Sequence, residues 1–349
     1  MPVSKNYNNA SKSTNAPRVY KVRAASDEQQ QKQTCNPRTS AAGLPLDLQQ
    51  LVLNIFRSAF SERLSADISP LLQEIKQHLY ERNFTAAFGQ IDYLEAYAAR
   101  WSPSRALGYL QVLHGLQSHL IPPQKESWKI ACLGGGAGAE IVALAGSLRL
   151  FFGAGTETPK LDIQAVDVAN WSCVIQSIQE PLTKLPPQTS YISSCDRKPF
   201  IDLSSFNTTF HHMDLLSATS TALRPIITPA NLITILFTLN ELYSTSMQLT
   251  QSLLLHITSL SVTGTLLLVV DSPGSYSTVK LGKEGTERKY PMQWLLEHML
   301  LESASGVGGQ KKWEQVISED SVWFRLDKRL KYPMELENMR YQMHLYRRL

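Results

Sequence analysis

The sequence predicts an α/β fold: a seven-stranded, mainly parallel sheet with helices on both faces and an antiparallel terminal hairpin, preceded by an α-helical region and a disordered tail. Three observations carry this expectation. From residue 128 onward, short apolar runs rich in β-branched side chains alternate with helical stretches, the pattern of parallel strands joined by crossover helices. The last two such runs, 322–326 and 340–346, are separated only by a turn region around 331–338, too short for a crossover helix, so they must pair antiparallel. Between residues 46 and 123 apolar side chains recur instead at three- and four-residue spacings, the signature of amphipathic helices.

Taken in order, residues 1–45 are rich in Ser, Asn, Gln and Lys with few large apolar side chains; such a segment cannot repay its ordering entropy and is expected to be disordered. Its basic residues, from Lys5, Lys12 and Arg18 to Lys32 and Arg38, outnumber Asp27 and Glu28, which suits either an RNA-contacting or nuclear-targeting arm or a plain solvated tail. Residues 46–123 form the helical region. The periodic sets Leu48-Leu51-Val52-Ile55-Phe56 and Ile68-Leu71-Leu72-Ile75-Leu79 imply a bundle or a layer. Pro103 after Ser102 is read as opening a further helix through Leu107, Leu110, Leu113 and Leu116, because proline is tolerated in a first turn, and Pro122-Pro123 closes it. Residues 124–349 carry the sheet, with strands expected at 128–133, 161–166, 206–212, 232–239, 265–270, 322–326 and 340–346.

With 349 residues, 43% of them hydrophobic, the chain can bury a full core. It shows no uncharged apolar run of about 18 residues and no apolar centre of a secretion signal near its start, so a soluble, intracellular protein with no membrane partner is expected. Cys35, Cys132, Cys173 and Cys195 show neither CxxC pairing nor zinc-site spacing with histidines; free thiols are expected and no metal is assigned. A net charge of +4 permits an acidic partner without requiring one.

The segment Lys129-Ile130-Ala131-Cys132-Leu133-Gly134-Gly135-Gly136-Ala137-Gly138-Ala139-Glu140-Ile141 is a β-run, a glycine run and the start of an amphipathic helix. Glycines there permit a tight turn and close backbone approach to a ligand, while the helix start offers unpaired N–H donors. The next strand ends in Asp167, an acid placed to grip the two hydroxyls of a ribose. It lies further from the glycines than the usual interval of about 20 residues, a delay explained by an insertion at 153–160. The third strand ends in Asp214, either an acceptor for an adenine amino group or a helix N-cap before Leu215. Gly134, Gly135, Gly136, Gly138, Glu140, Asp167 with its neighbour Val168, Asp214 with Leu215, and Asn240 make up the expected cofactor set. A dinucleotide such as NAD or FAD would use the same turn, but those enzymes continue with parallel strands. The antiparallel ending favours the methyltransferase version of the sheet.

Three segments then resemble the fungal 25S rRNA (uridine-N3) methyltransferases: Cys132-Leu133-Gly134-Gly135-Gly136-Ala137-Gly138-Ala139-Glu140, Leu239-Asn240-Glu241-Leu242, and the closing Asn338-Met339-Arg340-Tyr341-Gln342-Met343-His344-Leu345-Tyr346-Arg347-Arg348. The resemblance covers about residues 46–349. The glycine motif carries the superfamily; the Asn-Glu-Leu element and the basic last strand carry the particular family. It implies a Rossmann-like methyltransferase sheet, S-adenosyl-L-methionine as cofactor, a uridine of large-subunit rRNA or of a pre-ribosome as acceptor, a role in rRNA processing and ribosome biogenesis, and a nuclear or nucleolar location, with the cytoplasm as a second site. A monomer is expected. A protein methyltransferase on the same fold and a catalytically inactive scaffold are the alternatives.

Methyl transfer from a sulfonium is an in-line displacement in which positioning dominates. Uridine N3 is a poor nucleophile until its proton leaves, which calls for a general base or a group that stabilises the anion. The candidates follow the fourth and fifth strands, because open α/β sheets bind ligands at the carboxyl ends of their strands. Asn240 could hydrogen-bond a flipped base, Glu241 take the N3 proton and Tyr243 stack on the ring; helix capping, a dipole-favoured first-turn carboxylate and core packing are their structural alternatives. Asp271 in Asp271-Ser272-Pro273-Gly274 is the second candidate base, or a turn residue bonded to its own backbone. Lys280, Lys283, Arg288 and Lys289, then Lys328, Arg329, Lys331, Arg347 and Arg348, beside Tyr276, Tyr290 and Trp294, are the expected RNA contacts.

Overall fold

The computed structural model describes residues 43–120, 127–153, 159–185, 198–274, 276–281, 286–302 and 310–349, with the side chains of 276–289 outside the description. The basic tail up to residue 42, Cys35, Pro122-Pro123, most of the 153–160 insertion, Cys195, Lys283 and the side chains of Tyr276, Lys280, Arg288 and Lys289 therefore lie outside the described residues.

The helical region contains α1 (Leu46–Ala59), α2 (Ser61–Ser65), α3 (Ser69–Tyr80), α4 (Phe84–Ala87), α5 (Ile91–Gly115) and α6 (Gln117–Leu120). Then β1 (Trp128–Leu133), α7 (Ala139–Phe152), β2 (Leu161–Asp167), α8 (Ser172–Thr183), β3 (Phe206–His212), α9 (Ser220–Ile227), β4 (Leu232–Leu236), α10 (Leu239–Thr245), α11 (Met247–Leu260) and β5 (Leu266–Asp271) alternate. A hairpin of β6 (Tyr276–Leu281) and β7 (Thr286–Pro291), α12 (Met292–Glu297), β8 (Trp313–Phe324) and β9 (Met339–Arg348) complete the chain. Ala42–Leu349 form one compact unit.

The main sheet has seven strands in the order β3-β2-β1-β4-β5-β9-β8. The first five are parallel, while β9 runs antiparallel to both β5 and β8, so the terminal hairpin inserts its last strand next to β5. Chain order reverses between β1 and β4, the switch point where such sheets open a crevice. One face is covered by α1, α5, α7 and α8 in a single apolar cluster that includes Phe56, Leu110, Ile141 and Val174. The other is covered by α9, α10, α11 and α12 with Leu254, Ile257 and Leu296. The helical region is thus a layer on the sheet. Its packing begins before α1, since Leu44 is buried and its carbonyl accepts from Gln49 Nε2 at 2.9 Å.

Four expectations about elements change. Pro103 does not start a helix: it lies inside the 25-residue α5. A proline there removes one ladder bond, and tertiary contacts hold the helix, with Ser102 Oγ donating to Ala137 O at 2.7 Å and Ser104 Oγ accepting from Glu337 N at 3.0 Å. The strand expected at 232–239 stops at Leu236, because Phe237 turns into the left-handed region at φ 55° and Leu239 already belongs to α10. Between β5 and α12 lies the β6–β7 hairpin, where no strands are expected from the sequence. The edge strand expected at 322–326 spans Trp313–Phe324; two register shifts, between Gln315 and Ile317 and between Glu319 and Val322, break the alternation that would have revealed it.

Trp313 anchors that long edge strand. Its ring is fully buried and its Nε1–H donates to Thr258 Oγ1 at 2.9 Å. Trp313→Ala should cost about 3–5 kcal/mol, the range for emptying a large aromatic site, read by urea unfolding; a loss below about 1 kcal/mol would contradict the anchoring role.

Candidate active site

The turn between β1 and α7 is built on glycine conformations. Gly134 and Gly138 sit at φ 89° and 80°, where any other residue is strained. Each of the four glycines also faces a packed atom. A Cβ would fall 2.3 Å from Thr238 Oγ1 at Gly134, 2.8 Å from Glu140 Oε2 at Gly135, 2.1 Å from the Trp171 ring at Gly136 and 2.2 Å from Ile178 Cδ1 at Gly138. The turn is therefore a backbone surface with its neighbours pressed close behind it. Asp167, last in β2, braces it: Oδ2 accepts from Gly136 N and Oδ1 from Ala169 N, both at 3.1 Å. Burial raises its pKa, with the backbone donors opposing that shift.

Beside this turn opens a cleft of about 290 Å³ at the carboxyl ends of β1, β4 and β5. Gly134, Gly135, Gly138 and Glu140 line one side, and Asn240, Glu241 and Asp271 another. The third wall comes from α5, through Tyr97, Trp101, Ser102, Arg105 and Tyr109, residues the sequence reading did not single out. Arg105 lies with its guanidinium 3.7 Å from the centroid of Phe237, the residue whose left-handed backbone ends β4. Such strain in a non-glycine residue clusters at functional sites.

Buried carboxyls set the electrostatics. Glu140 is 3% exposed, and its Oε1 has no hydrogen-bond partner among the described residues. Burial pushes its pKa up to about 7, hydrogen bonds to Thr234 and Cys132 opposing the shift. Asp271 is pushed up to about 6, first by burial and then by the charge of Glu241, against the opposing donors Asn240 N and Ser272 N and the cation Arg105. Its Oδ2 accepts from Asn240 N at 3.0 Å and its Oδ1 from Ser272 N at 2.7 Å, so it caps the first turn of α10 from the adjoining strand. Glu241 is more open and pairs with Arg82 at 3.6 Å; Arg82 also has a positive φ of 55°. Asn240 Oδ1 is buried and has no hydrogen-bond partner among the described residues.

The structure thus brings Gly134, Gly135, Gly138, Glu140, Asn240, Glu241 and Asp271 to one cleft, with Gly136 and Asp167 directly behind the turn. Others stand apart. Asp214 Oδ1 accepts from Leu216 N at 2.9 Å, the turn-capping alternative, and Leu215 is buried. Val168 is exposed, and its carbonyl bonds to His212 Nε2 at 2.9 Å. Tyr243 is 3% exposed within the second-face core; the ring expected to stack on a substrate is packed inside, as the core alternative had it.

Among the expected RNA contacts, three arginines are already engaged. Arg347 pairs with Glu314 at 2.8 Å, Arg348 donates to the carbonyls of Lys312 and Thr258, and Arg329 pairs with Asp327. Lys328 and Lys331 are exposed, and Tyr290 stacks on Trp294 with centroids 4.8 Å apart. Among the described residues, no group of three His, Cys, Asp or Glu side chains could hold a metal, Cys132 and Cys173 are free thiols, and no helix is long and apolar enough to cross a membrane.

A glycine turn at a sheet switch point, an acid ending the second strand and an antiparallel seventh strand define an α/β protein that holds a nucleoside cofactor in the methyltransferase manner. Residues 56–347 match a family described as "Putative SAM-dependent methyltransferase", and the chain belongs to that family. It is 31% identical, over 323 residues covering 85% of each chain, to the 25S rRNA (uridine(2843)-N(3))-methyltransferase of Saccharomyces cerevisiae. Among solved structures it aligns with the magnesium protoporphyrin IX methyltransferase of Synechocystis PCC 6803 with bound SAM, at a TM-score of 0.38 and 13% identity over 88% of this chain and all of that one. It also aligns with an rRNA methylase from Streptococcus thermophilus, at a TM-score of 0.33 and 11% identity over 69% and 96% of the two chains.

S-adenosylmethionine is the cofactor, and the residues present fit it: a backbone surface where no Cβ can stand, and an unpartnered buried carboxyl oxygen of Glu140 beside it, suited to an ammonium or hydroxyl donor.

Glu140 also makes a pH-dependent prediction. Its carboxyl binds a proton more tightly in the folded protein, so the stability it contributes is present below its ordinary value of 4.5 and lost as pH rises through about 7. In urea unfolding, Glu140→Gln should therefore gain on the wild type by on the order of 3 kcal/mol between the two ends of that window. A difference that stays constant with pH would contradict the buried, titrating carboxyl.

Proposed function

We propose that this methyltransferase transfers a methyl group to N3 of a uridine in large-subunit rRNA. The observation that carries the reading is the 31% identity shared with the yeast enzyme over 85% of both chains. What the cleft offers chemically agrees with it: a carboxylate, an amide and a guanidinium meet beside the cofactor turn, the set needed to remove an imide proton and hold the resulting anion.

When bound, S-adenosylmethionine supplies an electrophilic methyl on a positive sulfur. The chain's own residues divide the remaining work. Asp271 has both oxygens occupied by backbone amides, so it holds the Asn240-Glu241 segment in place. Glu241 lines the cleft and, among the described residues, carries one long ion pair, from Oε2 to Arg82; it is the carboxylate that accepts the N3 proton. Asn240, with its unpartnered Oδ1, can bond the base edge. Deprotonation spreads negative charge over the two uracil carbonyl oxygens, and Arg105, fixed on Phe237, provides a preorganised cation for it. Work on rRNA would place the protein in the nucleolus, which a fluorescently tagged chain in cells would test.

Incubation with labelled S-adenosylmethionine and deproteinised 25S rRNA should yield 3-methyluridine by nucleoside mass spectrometry, whereas label found only in protein would overturn the substrate. Glu241→Gln should lower the rate by about 10²–10⁴, the usual contribution of a general base, with cofactor affinity kept. A rate within a few-fold of wild type would assign the proton to another group.

A further inference from the structure

The edge of the sheet carries an aromatic and basic cluster that the cleft chemistry does not use. Trp323, near the end of β8, is 51% exposed. Its ring has the guanidinium of Arg325 at 4.5 Å and that of Arg340 at 5.7 Å from its centroid. The arrangement is held by the fold: Trp323 is the register partner of Arg340 on β9, and Arg340 Nε donates to Ser321 Oγ at 3.0 Å. The neighbouring Phe324 is buried against the α5 side near Gly108, so strand alternation turns the indole to the opposite face.

The charge around this ring is largely unspent. Neither Arg325 nor Arg340 forms an ion pair among the described residues; in the loop that follows, Lys328 is exposed, while Lys331 is bonded through its backbone to Gln50 of α1. Asp327, the acid within that stretch, is taken by Arg329. Glu319 and Asp320 belong to the register shift that precedes Trp323.

Position relates the cluster to the cleft. Asp271 at the end of β5 is the register partner of Gln342, and Arg340 lies two residues further along β9 in the direction of the carboxyl ends. With strands about 4.8 Å apart, the Trp323 backbone stands roughly 10 Å from β5 across the sheet, at the end where the cleft opens. That is a distance of one or two nucleotides from the reacting base.

We propose that Trp323 with Arg325 and Arg340 is a stacking platform for an unpaired base flanking the target nucleotide. This rests on the reading that the acceptor is RNA. Single-stranded RNA is bound by aromatic rings and guanidinium planes on which bases stack, inside a basic surface that tracks the backbone. An exposed indole with two guanidinium groups, 4.5 and 5.7 Å from its centroid, on a strand of the sheet, meets that requirement. A base pressed against either the indole or a guanidinium lying on it gains contact on both sides, and double-stranded RNA, with its bases already stacked, gains only the charge.

Fluorescence anisotropy on the full chain tests this, with a labelled 25S rRNA fragment whose target uridine lies in an unpaired loop, a fully paired RNA of equal length, and a polyglutamate peptide. Trp323→Ala should weaken the loop RNA about tenfold, within the range for loss of one stacked base, and leave the paired RNA nearly unchanged. Trp323→Phe should restore most of the affinity. Replacing both Arg325 and Arg340 by Ala should reduce the slope of log K against log salt by about 1–2. Because the indole is exposed, all variants should keep wild-type affinity for S-adenosylhomocysteine, which verifies an intact fold. Loop RNA bound equally by wild type and Trp323→Ala, equal losses for looped and paired RNA, or tighter binding of polyglutamate would each overturn the platform alone. A wild-type chain that binds S-adenosylhomocysteine but neither RNA would overturn the RNA reading and the platform with it.

Discussion

The turn from β1 into α7 is the constraint on which the remaining structure depends. Its four glycines are required by the protein's own packing, because Thr238, Glu140, Trp171 and Ile178 occupy the places where side chains would stand. These four neighbours come from the β4–α10 junction, α7, the approach to α8 and α8 itself. The position of the turn therefore fixes those of the second and fourth strands' carboxyl ends, and with them Asp167 and the Asn240-Glu241 segment. Close backbone approach, which a nucleoside cofactor needs, and close packing behind the backbone are the same geometric fact.

Around that turn the protein tolerates local costs. Three carboxyls, Glu140, Asp167 and Asp271, have pKa values raised by burial, and Phe237 and Arg82 adopt left-handed backbone conformations. Several of these features have a neighbour that gives them a use. Asp271 caps α10, Phe237 supports Arg105, and Arg82 faces Glu241. Perturbed carboxyls and strained backbone cluster at functional sites, and here they gather in and around one cleft. The α5 wall ties the helical region into the same site, with Ser102 bonded to the carbonyl of Ala137 inside the glycine turn.

Much of this was legible in the sequence because it rests on local patterns. Parallel strands such as the buried Trp128–Leu133 and the edge strand Phe206–His212 are short runs bounded by clear breaks, and glycine has a distinct meaning where a strand meets a helix. The terminal hairpin could be inferred from a connection too short for anything else. What escaped depends on tertiary contacts. Nothing in Ser102-Pro103-Ser104 tells that a proline will sit inside a 25-residue helix, since the bonds to Ala137 and Glu337 that hold it come from distant parts of the chain. The bulges of β8 hid its period. Arg105 and Tyr109 were visible only as a helix face, and their turn toward the cleft follows from how α5 lies on the sheet. Tyr243 shows the reverse: a polar aromatic just after Asn240-Glu241 reads as a substrate contact, while three-dimensional packing buries it in the core.

The central claim is that the cleft beside Gly134–Gly138 holds a sulfonium nucleoside. Isothermal calorimetry of the folded full chain with S-adenosylhomocysteine addresses it most directly. Saturable heat with one site per chain, and none for NAD under the same conditions, is the predicted result. A folded chain that gave no heat with S-adenosylhomocysteine, or that bound NAD in its place, would contradict the account.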